Sequence, residues 1–233
     1  MNSIILSYTF LVYFLSKVPL HPLIASTVCR ILGINLSSAK KKTWCEYRNF
    51  LEIFTREPES ICISDAPLVA PCQGQVWSVN EIGKFPSKAD LKAILVEGEF
   101  EVKSSVGIYL SPRDFHRVYA PVDGFVEKIQ TKAGLIMPIK LPLFGPLLPA
   151  VYFNKMVKFF VSTNLGRICL IMVGACGVGE IKVSLPSKTG CPVSKGTELG
   201  VFELGSFVWV LLEGKLNFKL MTDQNLHIGD PLV

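Results

Sequence analysis

Histidine is scarce in this chain, three residues in 233. The cysteines include no Cys-x-x-Cys pair, and no cluster of histidines stands beside them to complete a zinc set. Seven cysteines, Cys29, Cys45, Cys62, Cys72, Cys169, Cys176 and Cys191, are an odd and scattered number. They do not read as a disulfide framework, but as reduced, mostly buried thiols of a cytosol-facing protein. No Gly-x-x-x-x-Gly-Lys loop is present, no Gly-x-Ser-x-Gly elbow, and Gly174, Gly177 and Gly179 do not make a dinucleotide fingerprint. Basic residues are not arrayed in a stripe with interleaved aromatics, and a net charge of +5 is modest, so a nucleic-acid partner is not expected.

Charge is also missing from the start of the chain. Residues 1–36 carry only Lys17 and Arg30 as full charges, in a chain that is 49% apolar overall. The run from Ile4 to Leu15 is too short to cross roughly 30 Å of hydrocarbon as a helix, and Pro19 and Pro22 interrupt any extension. It also lacks the basic n-region and cleavage site of a secretory signal. Two readings fit. One is an apolar helix lying in a membrane interface, with Lys40, Lys41, Lys42, Trp44, Tyr47 and Arg48 on anionic lipid. The other is a core helix followed by a solvated basic turn. The first implies a peripheral, cytosol-facing membrane protein.

The length suits one compact body. Residues 1–55 read as a helical, membrane-associating segment, with apolar periodicity from Trp44 to Phe54 and a stop near Arg56-Glu57-Pro58. Residues 56–233 read as a β-rich domain, because short Val, Ile and Phe runs alternate with Gly and Pro. The expected class is therefore α+β, with a barrel- or sandwich-like body. An internal echo, Ala70-Pro71-x-x-Gly74-x-Val76 and Ala120-Pro121-x-x-Gly124-x-Val126, predicts two related β units, each opened by a turn that leads into a strand. The second copy is also similar to biotinyl and lipoyl carrier barrels, but no lysine at a hairpin tip stands beside Met or Asp as a carrier requires. In 138–160, Pro138, Pro142, Pro146 and Pro149 argue against regular structure in the first half, leaving either a mobile apolar loop or a buried connection.

Gly205-Ser206, within Glu203-Leu204-Gly205-Ser206-Phe207, is a bond suited to self-cleavage. Glycine leaves its carbonyl unshielded, and a serine hydroxyl can attack it and turn the amide into an ester. Leu-Gly-Ser also makes ordinary turns. The stretch resembles the Leu-Gly-Ser-Thr site of phosphatidylserine decarboxylases, with Phe207 in place of Thr. Tyr109 to Gly124, containing Asp114-Phe115-His116-Arg117-Val118-Tyr119, is similar to that family's Asp-Tyr-His-Arg-x-His segment. Leu165-Gly166-Arg167-Ile168 and Met172 to Ile181 resemble its Val-Gly-Ala-x-x-Val-Gly-x-Ile block. Phe54-Thr55-Arg56 and Leu68 to Gly74 continue the likeness upstream, in the family's order from about residue 45 to 214.

The resemblance implies a pyruvoyl group made from Ser206 after the cut, drawing off the electrons released when phosphatidylserine loses its carboxylate to become phosphatidylethanolamine. It carries the proton-donor role to His116. Asp114, two residues away, is placed to orient the imidazole; the alternative is a His-carboxylate pair that merely holds a turn. Family members cut themselves with an Asp-His-Ser triad, and here Gln73 and Tyr119 stand at the Asp and His positions. His116 or Asp123 would have to substitute. Gly177 replaces a usual Asn, and Asn154-Lys155-Met156 replaces Asn-Glu-Arg. The alternative function is therefore an uncleaved, inactive paralogue that binds lipid or regulates. Expected partners are phosphatidylserine, an anionic membrane, and either a second copy or an active paralogue; no metal is expected.

Overall fold

The computed structural model describes residues 11, 14–79, 94–95, 100–137, 139–141, 145–146, 150–175, 180–186 and 190–233. Most of the Ile4–Leu15 run, Pro138, Pro142, Pro149, Cys176, Gly177 and Gly179 lie outside them.

Helix α1 (Pro22–Leu32) starts where His21 caps the Leu23 N–H and Pro22 occupies the first turn, and it stops at Gly33 in the left-handed conformation, φ 71°. The periodicity expected to run from Trp44 to Phe54 is broken into a 3-10 turn, Trp44–Glu46, and helix α2, Phe50–Phe54. Asn49 restarts the helix, because its side chain accepts the Glu52 N–H at 2.9 Å. The stop before Pro58 is where the sequence puts it.

The rest is β, as an α+β chain requires. Strands β1 (Gly74–Val79), β2 (Ser104–Leu110), β4 (Gly124–Lys132), β7 (Met156–Thr163), β8 (Gly166–Gly174), β10 (Cys191–Val193), β12 (Ser206–Leu212) and β13 (Asn225–Leu226) make one open antiparallel sheet in the order β10-β4-β7-β8-β12-β2-β1-β13. A small sheet, β3-β11-β9, uses Arg117–Tyr119, Glu198–Phe202 and Ile181–Val183. The proline-rich stretch holds a two-strand pair, β5 (Lys140–Leu141) and β6 (Gly145–Pro146), then a short helix α3 (Ala150–Phe153). Pro146 stands on a strand with a single partner, and an edge strand is where a proline is tolerated. Val151 and Tyr152 of α3 are buried, so this part of the stretch is a buried connection.

The two related β units are the two halves of the large sheet, meeting at β8 and β12. Each copy of the Ala-Pro turn leads into a strand that begins at its glycine, Gly74 or Gly124. Hydrogen bonds repeat as well. Ala70 donates to the Asp230 carbonyl and accepts from Gly229 N–H, while Ala120 donates to the Thr197 carbonyl and accepts from Gly196 N–H. Both partner glycines have positive φ, 88° and 85°. Leu226 sits opposite Gly74 as Val193 sits opposite Gly124.

Strand β12 is buried on both faces, which accounts for its unbroken apolar run. Val208, Val210 and Leu212 pack with Val118, Leu199 and Phe202, while Phe207, Trp209 and Leu211 pack with Met156, Val151 and Tyr152 on the opposite face. A third cluster joins Ala25, Cys29 and Ile53 of the helical part to Phe115, Tyr119 and Ile228. The basic run is not a free cationic patch: Lys40, Lys41 and Lys42 pair with Glu57, Glu52 and Glu59. The described cysteines are free thiols, with Cys29, Cys72 and Cys169 buried but Cys45 and Cys62 exposed, so "mostly buried" holds for only part of them.

Candidate active site

Ser206 is the first residue of β12, paired with Gly174 of β8 on one side and Leu110 of β2 on the other. It is 1% exposed, and its Oγ has no hydrogen-bond partner. Gly205, just before it, has φ 57°, a conformation open to glycine at little cost. The Gly205 carbonyl accepts the Ala175 N–H at 3.0 Å, the rung that follows the last Cα pair of β8 and β12. The Gly205–Ser206 bond is thus a fixed peptide between a turn and a central strand.

His116 lies immediately before β3 and is fully buried. Its backbone carbonyl accepts from Phe202 N–H at 2.9 Å, which ties it to the end of β11 just ahead of the Glu203–Gly205 turn. Val118, two residues beyond His116, and Val208, two beyond Ser206, belong to one cluster. Phe54 covers the His116 ring at a centroid distance of 3.7 Å. Arg56 donates to the carbonyls of Ile53, Arg113 and Asp114 and lies over the Phe115 ring, so the Phe54-Thr55-Arg56 block braces the segment that carries His116.

Asp114 does orient the imidazole, but through its backbone. The His116 Nδ1 lies 2.9 Å from the Asp114 carbonyl, which makes Nδ1 the donor and leaves Nε2 with a lone pair and no partner. The Asp114 carboxylate instead accepts from Ser111 N–H and Oγ at 2.7 and 2.6 Å, closing the turn between β2 and β3. Burial first, and the Arg56 charge second, lower the His116 pKa to about 3, against the opposing pull of the Asp114 carbonyl. The ring is neutral at ordinary pH.

Gln73 and Tyr119 are not hydrogen-bonded to the Ser206 hydroxyl. Gln73 Oε1 accepts from Phe115 N–H at 3.2 Å, and Gln73 lines two cavities of about 350 and 390 Å³ that share it with Phe115 and His227. Tyr119 packs in the cluster with Ile53 and Phe115. Burial, then the Glu198 carboxylate, push its hydroxyl up to about 12, so it is no base. Asp123 is exposed and accepts from Lys195 N–H at 2.7 Å as the cap of a turn. Residue types gave no sign of two further groups here. Glu203 is buried, pairs with Lys182 through Oε1 and leaves Oε2 without a partner. Asn154, seen in the sequence only as part of an altered tripeptide, is fully buried and joins residue 137 to the end of β8. Among the described residues no group of His, Cys, Asp and Glu could hold a metal ion.

Ser206 and His116 are both buried, and the Gly205–Ser206 peptide is fixed at the end of β8. A family model described as phosphatidylserine decarboxylase matches residues 48–233. The chain belongs to the phosphatidylserine decarboxylase family. Relatives named phosphatidylserine decarboxylase proenzyme include one from Acidovorax ebreus (strain TPSY), 30% identical over 77% of this chain and 74% of its own length. Another, from Brevibacillus brevis, is 32% identical over 76% of this chain and 74% of its own. A third, from Legionella pneumophila (strain Corby), is 25% identical over 87% and 83%.

A buried histidine whose pKa falls from near ~6.5 unfolded to about 3 folded makes the unfolded chain the better proton binder between those values. The associated stability is complete above pH ~6.5 and is lost as pH falls, at roughly 1 kcal/mol per unit. In urea unfolding at pH 6 and pH 4, the wild type is expected to lose stability more steeply than His116→Phe by about that slope; parallel losses would show that the imidazole does not resist protonation.

Proposed function

We propose that this protein cuts itself between Gly205 and Ser206 and, as a pyruvoyl-dependent lyase of phospholipid synthesis, decarboxylates phosphatidylserine to phosphatidylethanolamine. The observation that carries this reading is the Gly205–Ser206 peptide itself: an accepting carbonyl at 3.0 Å from Ala175 N–H, beside a buried hydroxyl with no partner. In the cut, Ser206 Oγ bonds to the Gly205 carbonyl carbon, the C–N bond breaks, and the hydroxyl proton ends on the freed nitrogen. The resulting ester eliminates, leaving residues 1–205 with a carboxyl terminus, and loss of ammonia to water leaves a carbonyl on the first residue of 206–233.

The fit of Ser206 to that group rests on its burial and its free hydroxyl in a site where no other polar side chain claims it. Once formed, the carbonyl supplies the electron sink for loss of carbon dioxide. His116 is the chain's own proton carrier. Its neutral Nε2 accepts a proton first and returns it afterwards, with Nδ1 anchored on the Asp114 carbonyl so that the ring presents the same edge in both steps. The cavities beside Gln73 and Phe115 adjoin the segment that carries His116.

A second reading, an uncleaved relative that binds lipid, is favoured by Gln73 and by the high pKa of Tyr119. The self-cutting reading requires a slow cleavage, which a single event in the life of the chain tolerates. Intact mass under denaturing conditions separates the two. Two pieces matching 1–205 and a carbonyl-ended 206–233, absent in Ser206→Ala, are expected; one full-length mass in both would overturn the self-cutting reading.

Under either reading we infer a peripheral place on a membrane. Among the described residues no helix is long and apolar enough to cross one. Leu11, Phe14, Leu15 and Val18, followed by Leu23, Ile24 and Ile31 of α1, are exposed, and the paired lysines leave this apolar surface as the main attraction. Flotation with liposomes containing phosphatidylserine is expected for the wild type, and a Leu23→Ser, Ile24→Ser, Ile31→Ser triple variant should lose about 90% of it. Equal flotation of the two would remove α1 from the membrane contact.

A further inference from the structure

Asn154 is a fully buried amide that follows α3, and its three hydrogen bonds leave no doubt about its orientation. Oδ1 accepts from Met137 N–H at 2.9 Å, while Nδ2 donates to the Met137 carbonyl at 2.7 Å and the Gly174 carbonyl at 2.8 Å. Only the nitrogen can serve two carbonyls. The Gly174 N–H is also held, by the Lys155 carbonyl at 2.9 Å. Residues 154 and 155 therefore grip both sides of Gly174 at the end of β8.

The Gly174 carbonyl and the Ala175 N–H belong to one planar peptide unit. One end of this plane receives Asn154 Nδ2, and the other donates to the Gly205 carbonyl at 3.0 Å. A donor on the carbonyl end polarises the whole unit and strengthens its N–H as a donor. The site is closed to water: Gly174 pairs with Ser206, and Asn154, Ala175 and Ser206 are all buried. A fixed donor in a dry place, aimed at an oxygen that must become negative, is the arrangement that stabilises a tetrahedral intermediate.

We propose that the Gly174–Ala175 peptide unit is the oxyanion donor for self-cleavage at Gly205–Ser206, and that Asn154 is the positioning residue that orients it. This rests on the self-cutting reading. As Ser206 Oγ bonds to the Gly205 carbon, the carbonyl π pair moves onto its oxygen, where Ala175 N–H meets it. When the pair returns, the C–N bond breaks and the nitrogen takes the proton that the hydroxyl gave up, so ester and amide are isomers. The donor belongs to the strand ladder and is in place before the reaction begins. It therefore works even though Gln73 and Tyr119 do not supply a charged base.

The test is a time course of release of the 206–233 piece from full-length chains made by cell-free translation. One chain carries an ester in place of the Ala175 amide, a second carries Asn154→Asp, which keeps the acceptor and removes both donated bonds, and a control carries an ester at Ile171, which pairs with Trp209 along the same two strands. The Ala175 ester is expected to slow release by about 100-fold or more, Asn154→Asp by about tenfold to 100-fold, and the Ile171 ester by less than about threefold, although both esters weaken the sheet. Release at the wild-type rate from a chain whose unfolding midpoint matches the control overturns the inference for the group changed. A wild-type chain that is never cut overturns the self-cutting reading itself, and the inference with it. If either variant does not fold, amide exchange in the uncleavable Ser206→Ala chain decides: slow exchange at Ala175 supports the donor bond, and free exchange overturns it.

Discussion

Strand β12 lies between β8 and β2, apolar on both faces, and its register with β8 is continuous from Leu212 opposite Ile168 to Ser206 opposite Gly174. A slip by one residue would turn Phe207, Trp209 and Leu211 into the cluster now filled by Val208, Val210 and Leu212, so burial on both sides admits a single register. That register determines which carbonyl meets Ala175 N–H and which hydroxyl is buried at the strand's start. The placement of the Gly205–Ser206 peptide is a consequence of sheet pairing more than of any single side chain.

Desolvation governs what the nearby ionisable groups can do. His116 is kept neutral by burial and by Arg56, and Tyr119 is kept protonated by burial and by Glu198. Neither carries the charge that an Asp-His pair would bring to a serine. What remains is a neutral acceptor, a buried hydroxyl and a peptide donor. Such a set favours a slow single event over rapid turnover of the same step, and it places weight on positioning groups such as Asn154.

The parts legible in the sequence were those written in local pattern. The Ala-Pro-x-x-Gly-x-Val echo foretold two related β units because each copy encodes a turn and a strand start, and these became the halves of one sheet. Leu204-Gly205-Ser206 and the Asp114-Phe115-His116 block pointed to the decarboxylase family, and the family model matches residues 48–233. The open sheet was not, since closure depends on edges that pattern does not reveal. Asp114 was assigned its carboxylate by chemistry, whereas the chain uses its carbonyl; backbone acceptors are the same in every residue and leave no trace in composition. The lysine run suggested lipid because its glutamate partners lie a loop away. Asn154 stood out only as part of an altered tripeptide, because a polar side chain that serves two carbonyls from inside a core has no periodic signature.

Release of labelled carbon dioxide from phosphatidylserine labelled in its serine carboxyl decides whether the proposed decarboxylation takes place. Purified protein with mixed detergent-lipid micelles is predicted to release label above the level given by Ser206→Ala, and a carbonyl-trapping hydrazine should stop it. Release no greater than that of Ser206→Ala, from protein that is folded and binds the micelles, would contradict the claim and leave a member of the family without its activity.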